Sequence, residues 1–196
     1  MQWVPAFAGM TREAMEGIDY YKDSVRPGRE TRLYNEWMKM EEAFSSHEDI
    51  SYDVFKRSPS GLPIAYEVTF RIPSIIGVEE PDVEGLQKPV FGEKHVLRIT
   101  IPNNYPSSDG GYPDFTFVTD VWHPNVRFFG EFKGHVCLNY DNCGTSTTLA
   151  EHIVKVAAYL RYDDYFALDE EPFPEDQTVA LWVREQGEVQ GWTIFK

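Results

Sequence analysis

The sequence predicts an α+β fold: an N-terminal helix, a four-stranded antiparallel meander, then C-terminal helices. Three observations predict it. Leu33, Trp37, Met40 and Phe44 recur at helical spacing, four stretches of strand-like apolar character follow, and helical spacing returns at Leu149, Ile153, Val156 and Leu160.

The first stripe gives a helix of about four turns, beginning near Arg29, with Arg32, Glu36, Lys39 and Glu42 on its other face. Candidate strands with period-two character cover 50–55, 65–72 and 95–101, the first two separated by the turn Ser58-Pro59-Ser60-Gly61. Residues 73–94 hold three prolines, three glycines and the acidic cluster Glu79, Glu80, Asp82 and Glu84. That composition predicts a long solvent-facing loop. Residues 102–111 break the pattern again before a fourth strand at 115–119. In the later helix, Thr147 or Thr148 suits the N-cap, and Glu151 completes a capping box with Thr148. A proline- and acid-rich stretch, 163–176, precedes a last short helix around 178–186.

The chain has 196 residues, enough for one medium domain, assigned here to 29–196. Residues 1–28 are set apart as an N-terminal extension. Their opening resembles a translated intergenic repeat, and translation is expected to begin at Met10 or Met15. Eighteen basic against 32 acidic residues give a net charge of −14. Such a surface repels phosphate backbones and anionic lipid, so neither nucleic acid nor a membrane is an expected partner. Cys137 and Cys143 are too few for a disulfide framework or a four-cysteine zinc site, so no metal is expected. A reducing, cytoplasmic location follows as the default.

The most informative stretch is His123-Pro124-Asn125-Val126, with Cys137 twelve residues after the asparagine in Lys133-Gly134-His135-Val136-Cys137-Leu138. It sets an amide donor and a thiol close together after an apolar strand. That pair can carry an acyl group on sulfur and stabilise the oxyanion formed when the group is transferred. A free thiol is a few per cent thiolate at neutral pH, which suffices for an acyl donor that arrives already activated. Lys133 and His135 would favour the thiolate if they face it. A cysteine is also among the most commonly buried residues, and asparagine is a favoured turn residue.

In this order, the first helix, the meander, Tyr105-Pro106 after the third strand, Pro113 leading the fourth, His123-Pro124-Asn125 and Gly134-x-x-Cys137-Leu138 resemble the ubiquitin-conjugating enzyme family. The resemblance covers roughly 29–186 and implies that family's α+β fold. It implies that Cys137 receives a ubiquitin-like modifier from an adenylating enzyme and passes it to an amine of a protein target. Asn125 would stabilise the oxyanion, with no cofactor. His123, Pro124 and Tyr105 would support the site structurally. Asp169 falls where many members carry an acidic residue beside the thiol, and Asp163 and Asp164 remain candidates for that role. Cys143 reads as a bystander.

The departures from the family are specific. The loop from 126 to 136 is about four residues longer than usual, the tryptophan expected eight residues after the cysteine is Thr145, and 73–94 is long. Phe128, Phe129 and Phe132 either repack in place of that tryptophan or form a contact for a partner; packing is favoured. Together these mark a divergent member, consistent with a bacterial ubiquitin-like conjugation system of the kind associated with phage defence. The alternative is an inactive variant of the same fold acting as a binding or scaffold module.

Overall fold

The computed structural model describes residues 28–106, 111–138, 147–171 and 173–195. The N-terminal extension before residue 28, Cys143 and Thr145 lie outside the described residues.

Helix α1, Arg29–Phe44, buries the predicted stripe Leu33, Trp37, Met40 and Phe44. Strands β1 (Ile50–Arg57) and β2 (Pro63–Phe70) pair antiparallel. β5 (His95–Thr100) pairs with β2, and β6 (Asp114–Phe117) pairs with β5, giving the order β1-β2-β5-β6. The predicted four-stranded meander is therefore present, with boundaries shifted by a few residues. Alternate side chains of β2 and β5, among them Val68, Phe70, Leu97 and Ile99, are fully buried. They meet α1 and the later helix α2 (Leu149–Leu160) in one core. Thr148 caps α2 in the predicted capping box with Glu151.

The loop expected at 73–94 is instead a second small sheet. β3 (Ser74–Val78) and β4 (Pro89–Gly92) pair as a hairpin. Its tip is closed by Asp82, whose carboxylate accepts from the amides of Glu84 and Leu86 at 2.9 Å each, and by Gly85 at φ +81°. Of the prolines, glycines and acids that argued for a loop, Gly77, Pro89 and Gly92 lie within the two short strands and the others flank them. Burial of Ile75 fixes β3 in place.

Ile75 belongs to a second apolar cluster with Trp122, Tyr162, Val179, Trp182 and Val183. Helix α3 (Gln177–Trp182) supplies part of it and runs on into a π-helical turn, Val183–Gly187. The sequence placed a helix at 178–186, and the change of helical pitch at 183 was not visible there. No helix among the described residues is long and apolar enough to cross a membrane.

Candidate active site

The site is organised by the stretch between β6 and Cys137. The Trp122 amide donates to Ile75 O at 2.8 Å, tying the His-Pro-Asn segment to the hairpin. His123 is fully buried, and its Nδ1 accepts from the Asn125 amide at 3.1 Å, setting the turn. The ring stacks on Tyr159, with centroids 4.9 Å apart, and meets Tyr162 edge-on. Burial pushes its pKa down to about 3, and the backbone of Asp164 opposes this only weakly. A neutral ring so enclosed is suited to bracing the turn. Tyr162 hydrogen-bonds through its hydroxyl to Trp122 O.

The loop from 126 to 136 forms a hairpin. Arg127 N donates to His135 O at 2.9 Å, Gly134 N to Arg127 O at 2.7 Å, and Cys137 N to Asn125 O at 2.9 Å. The returning limb also pairs with the free edge of β6, with Phe117 N donating to Gly134 O and Val136 N to Phe115 O. Gly134 is required there: its φ is +91°, and a Cβ would lie 2.2 Å from Phe117 O. The extra loop length therefore leaves asparagine and cysteine paired at its base.

Asn125 is 8% exposed. Its Oδ1 accepts from the Phe166 amide at 3.0 Å, which fixes the amide plane and turns Nδ2 to the opposite side. Cys137 is a free, half-buried thiol. Its carbonyl accepts from the Tyr159 hydroxyl at 3.2 Å, and the next carbonyl, of Leu138, accepts from Lys155 Nζ at 3.0 Å. Helix α2 thus holds the segment that carries the thiol.

Two expected helpers of the thiol are engaged elsewhere. His135 Nδ1 lies 3.3 Å from Glu175 Oε1, and Lys133 Nζ lies 2.6 Å from Asp120. Glu175 raises the His135 pKa mainly by accepting its hydrogen bond. Glu175 also pairs with Arg127 and, despite partial burial, has its own pKa lowered by these cations.

Tyr105 supports a different region from the thiol. Its hydroxyl donates to Glu36 Oε1 at 2.6 Å and accepts from Arg32 Nε at 2.9 Å. Glu36, 1% exposed, also accepts from the Leu149 amide at 2.7 Å, so this cluster joins α1 to the start of α2. Pro124 is buried, and its carbonyl accepts from Asp176 N at 3.0 Å. Asp169 is exposed and borders a shallow depression with Pro174, Gln177 and Arg184. Asp163 and Asp164 are also exposed, just past α2. Among the described residues, no group of three or more His, Cys, Asp or Glu is placed to hold a metal ion.

Asp176 was missed by sequence reasoning. Its Oδ1 caps α3 by accepting from Thr178 N and Val179 N, and its Oδ2 accepts from Phe128 N at 2.9 Å. One buried carboxylate thus clamps the long loop to the last helix. The available signal was an aspartate directly before the apolar-periodic run at 177–183, a favoured N-cap. The phenylalanines of the loop divide: Phe128 and Phe129 pack edge-on against Trp122, with centroids 4.7 and 5.9 Å away, Phe129 remaining partly exposed, whereas Phe132 is exposed.

No family model matches the chain. Over 100 residues it is 31% identical to ubiquitin-conjugating enzyme E2-22 kDa of Drosophila melanogaster, covering 50% of this chain and 44% of that protein. Over 103 residues it is 29% identical to ubiquitin-conjugating enzyme E2 K of Homo sapiens, covering 52% and 46%. The chain thus spans less than half the length of these curated relatives. The solved structure of ubiquitin conjugating enzyme E2 UbcA1 from Agrocybe aegerita aligns with a TM-score of 0.44 and 18% identity, over 79% of this chain and 92% of that one. Over about half of its length, the chain is similar in sequence to ubiquitin-conjugating enzymes.

Proposed function

We propose that the chain is a conjugating enzyme that carries a ubiquitin-like protein as a thioester on Cys137. The observation that supports this best is the setting of Asn125: its Oδ1 is held by the Phe166 amide, and its carbonyl is bonded to the Cys137 amide. An amide fixed in this way leaves its NH2 as a pre-oriented donor on the segment paired with the thiol.

In this reading the Cys137 thiolate attacks the modifier's C-terminal carbonyl, already a thioester on an adenylating enzyme, and displaces that enzyme's thiolate. An amine, in most cases a target lysine, then attacks the Cys137 thioester. Asn125 Nδ2 donates to the oxyanion, the C–S bond breaks, and an isopeptide bond forms. The ammonium formed by the attacking amine must lose a proton, and we assign its acceptance to Asp169, whose carboxylate is open to solvent. His123, sealed and neutral, keeps the turn in shape. ATP is consumed by the adenylating enzyme. We further assign the chain to a bacterial ubiquitin-like conjugation system, and gene neighbours encoding an adenylating enzyme and a ubiquitin-like fold would support that assignment.

The test is a charging reaction with an adenylating enzyme, its ubiquitin-like protein and ATP, resolved on non-reducing gels. A thiol-sensitive adduct should form, persist in Cys143→Ala and vanish in Cys137→Ala. If no adduct forms under any condition, the scaffold reading takes its place.

A further inference from the structure

Between the β3–β4 hairpin and α3 lies a cavity of about 440 Å³. Trp122, Phe128 and Trp182 form its apolar wall, and the exposed carboxylates of Glu79, Glu80 and Glu185 stand around it. Among the described residues, none of these three carboxylates is in an ion pair. The Trp122 indole N–H is buried in the wall without a hydrogen-bond partner. The protein's own Lys133 sits 4.9 Å over the Phe128 ring, so this aromatic group already takes a cation on one face.

We propose that this cavity binds a lysine or arginine side chain on an extended segment of a partner protein. The aliphatic stem lies against the Trp122, Phe128 and Trp182 rings, while the cationic head meets Glu79, Glu80 and Glu185. Charge complementarity favours this occupant: three unpaired carboxylates would repel an acidic segment and would be left desolvated by a purely apolar one. A chain with net charge −14 adds long-range attraction for such a partner. Because Phe128 lies in the hairpin between Asn125 and Cys137, a segment seated here is anchored beside the thiol-bearing loop. The proposal goes beyond the thioester chemistry and does not depend on it.

The experiment titrates the full chain with two capped peptides, acetyl-Gly-Ser-Arg-Gly-Ser-amide and the same peptide with citrulline for arginine. Binding is followed by the NMR indole N–H signals of Trp122 and Trp182. The arginine peptide should bind at least tenfold more tightly, weaken at high salt, and lose tenfold in Glu80→Gln/Glu185→Gln, a variant of surface residues that should keep its Tm. Cys137→Ala should bind as the wild type does, so failure here is separable from failure of the thioester reading. Equal binding of the two peptides, no arginine-peptide binding, or tighter binding of a leucine-for-arginine peptide would overturn the proposal.

Discussion

The amide of Cys137 donates to the carbonyl of Asn125 at 2.9 Å, so the eleven-residue loop between them opens and closes at one point. The spacing in sequence is unusual, but the hairpin absorbs it. What would move the thiol away from the amide is loss of the groups that hold the hairpin down.

Asp176 is the first of these. Asp176→Ala removes the N-cap of α3 and strands the Phe128 amide, for an expected loss of about 2–3 kcal/mol from the cap and the orphaned donor together. Asp176→Asn keeps acceptor oxygen for part of this set and should lose less. Urea unfolding of both variants checks the ranking; equal stability of Asp176→Ala and wild type would remove the clamp.

Glu36 holds the other end of the core, accepting from Arg32, Tyr105 and the Leu149 amide. Glu36→Ala leaves a half-buried guanidinium, a hydroxyl and a helix-start amide without their acceptor, at a cost of about 3–5 kcal/mol. Charging of Cys137, measured well below the variant's Tm, should survive, because this cluster does not touch the thiol.

Acid should destabilise the fold earlier than its carboxylates alone would dictate. Burial lowers the pKa of His123 to about 3 and of His152 to about 4, against about 6.5 for an unperturbed histidine. Each contributes stability that is complete above about pH 6.5 and is lost as pH falls toward the folded value, with a slope approaching about 1.4 kcal/mol per pH unit. His135 acts with the opposite sign: its raised pKa gives stability present below about pH 6.5 and lost as pH rises through the folded value. Unfolding free energies between pH 7 and pH 4 should therefore fall steeply. A flat profile would show that these rings are solvated. Glu175→Gln should remove the His135 component, seen above pH 6.5, and with it the ion pair to Arg127 and Glu175's own contribution, which is present above about pH 4.5 and lost as pH falls through its lowered folded value.

Much of the frame was legible because periodicity reports burial. The stripe Leu33-Trp37-Met40-Phe44 and the Thr148–Glu151 capping box both stand where spacing put them. The β3–β4 hairpin was not legible, since its strands are too short for period-two alternation to outweigh their prolines, glycines and acids. Within the site, the pairing of Asn125 with Cys137 followed from residue type and order, but its geometry rests on Gly134, Asp176 and Phe166. Those are contacts between distant parts of the chain, which no local pattern encodes. Tyr105 illustrates the converse: its position in the sequence suggested support of the thiol, and its hydrogen bonds support the junction of α1 and α2.

The central claim is that Asn125 and Cys137 form one acyl-transfer site, and a single-turnover chase tests it most directly. Wild type and Asn125→Asp are charged with the ubiquitin-like protein, the adenylating step is quenched, and lysine is added. Aspartate keeps an acceptor for the Phe166 amide but removes the donor to the oxyanion. Both proteins should form the Cys137 thioester, and the variant should discharge to lysine about a hundredfold more slowly or worse, the effect of losing one oxyanion donor. Equal discharge rates in the two proteins would contradict the account.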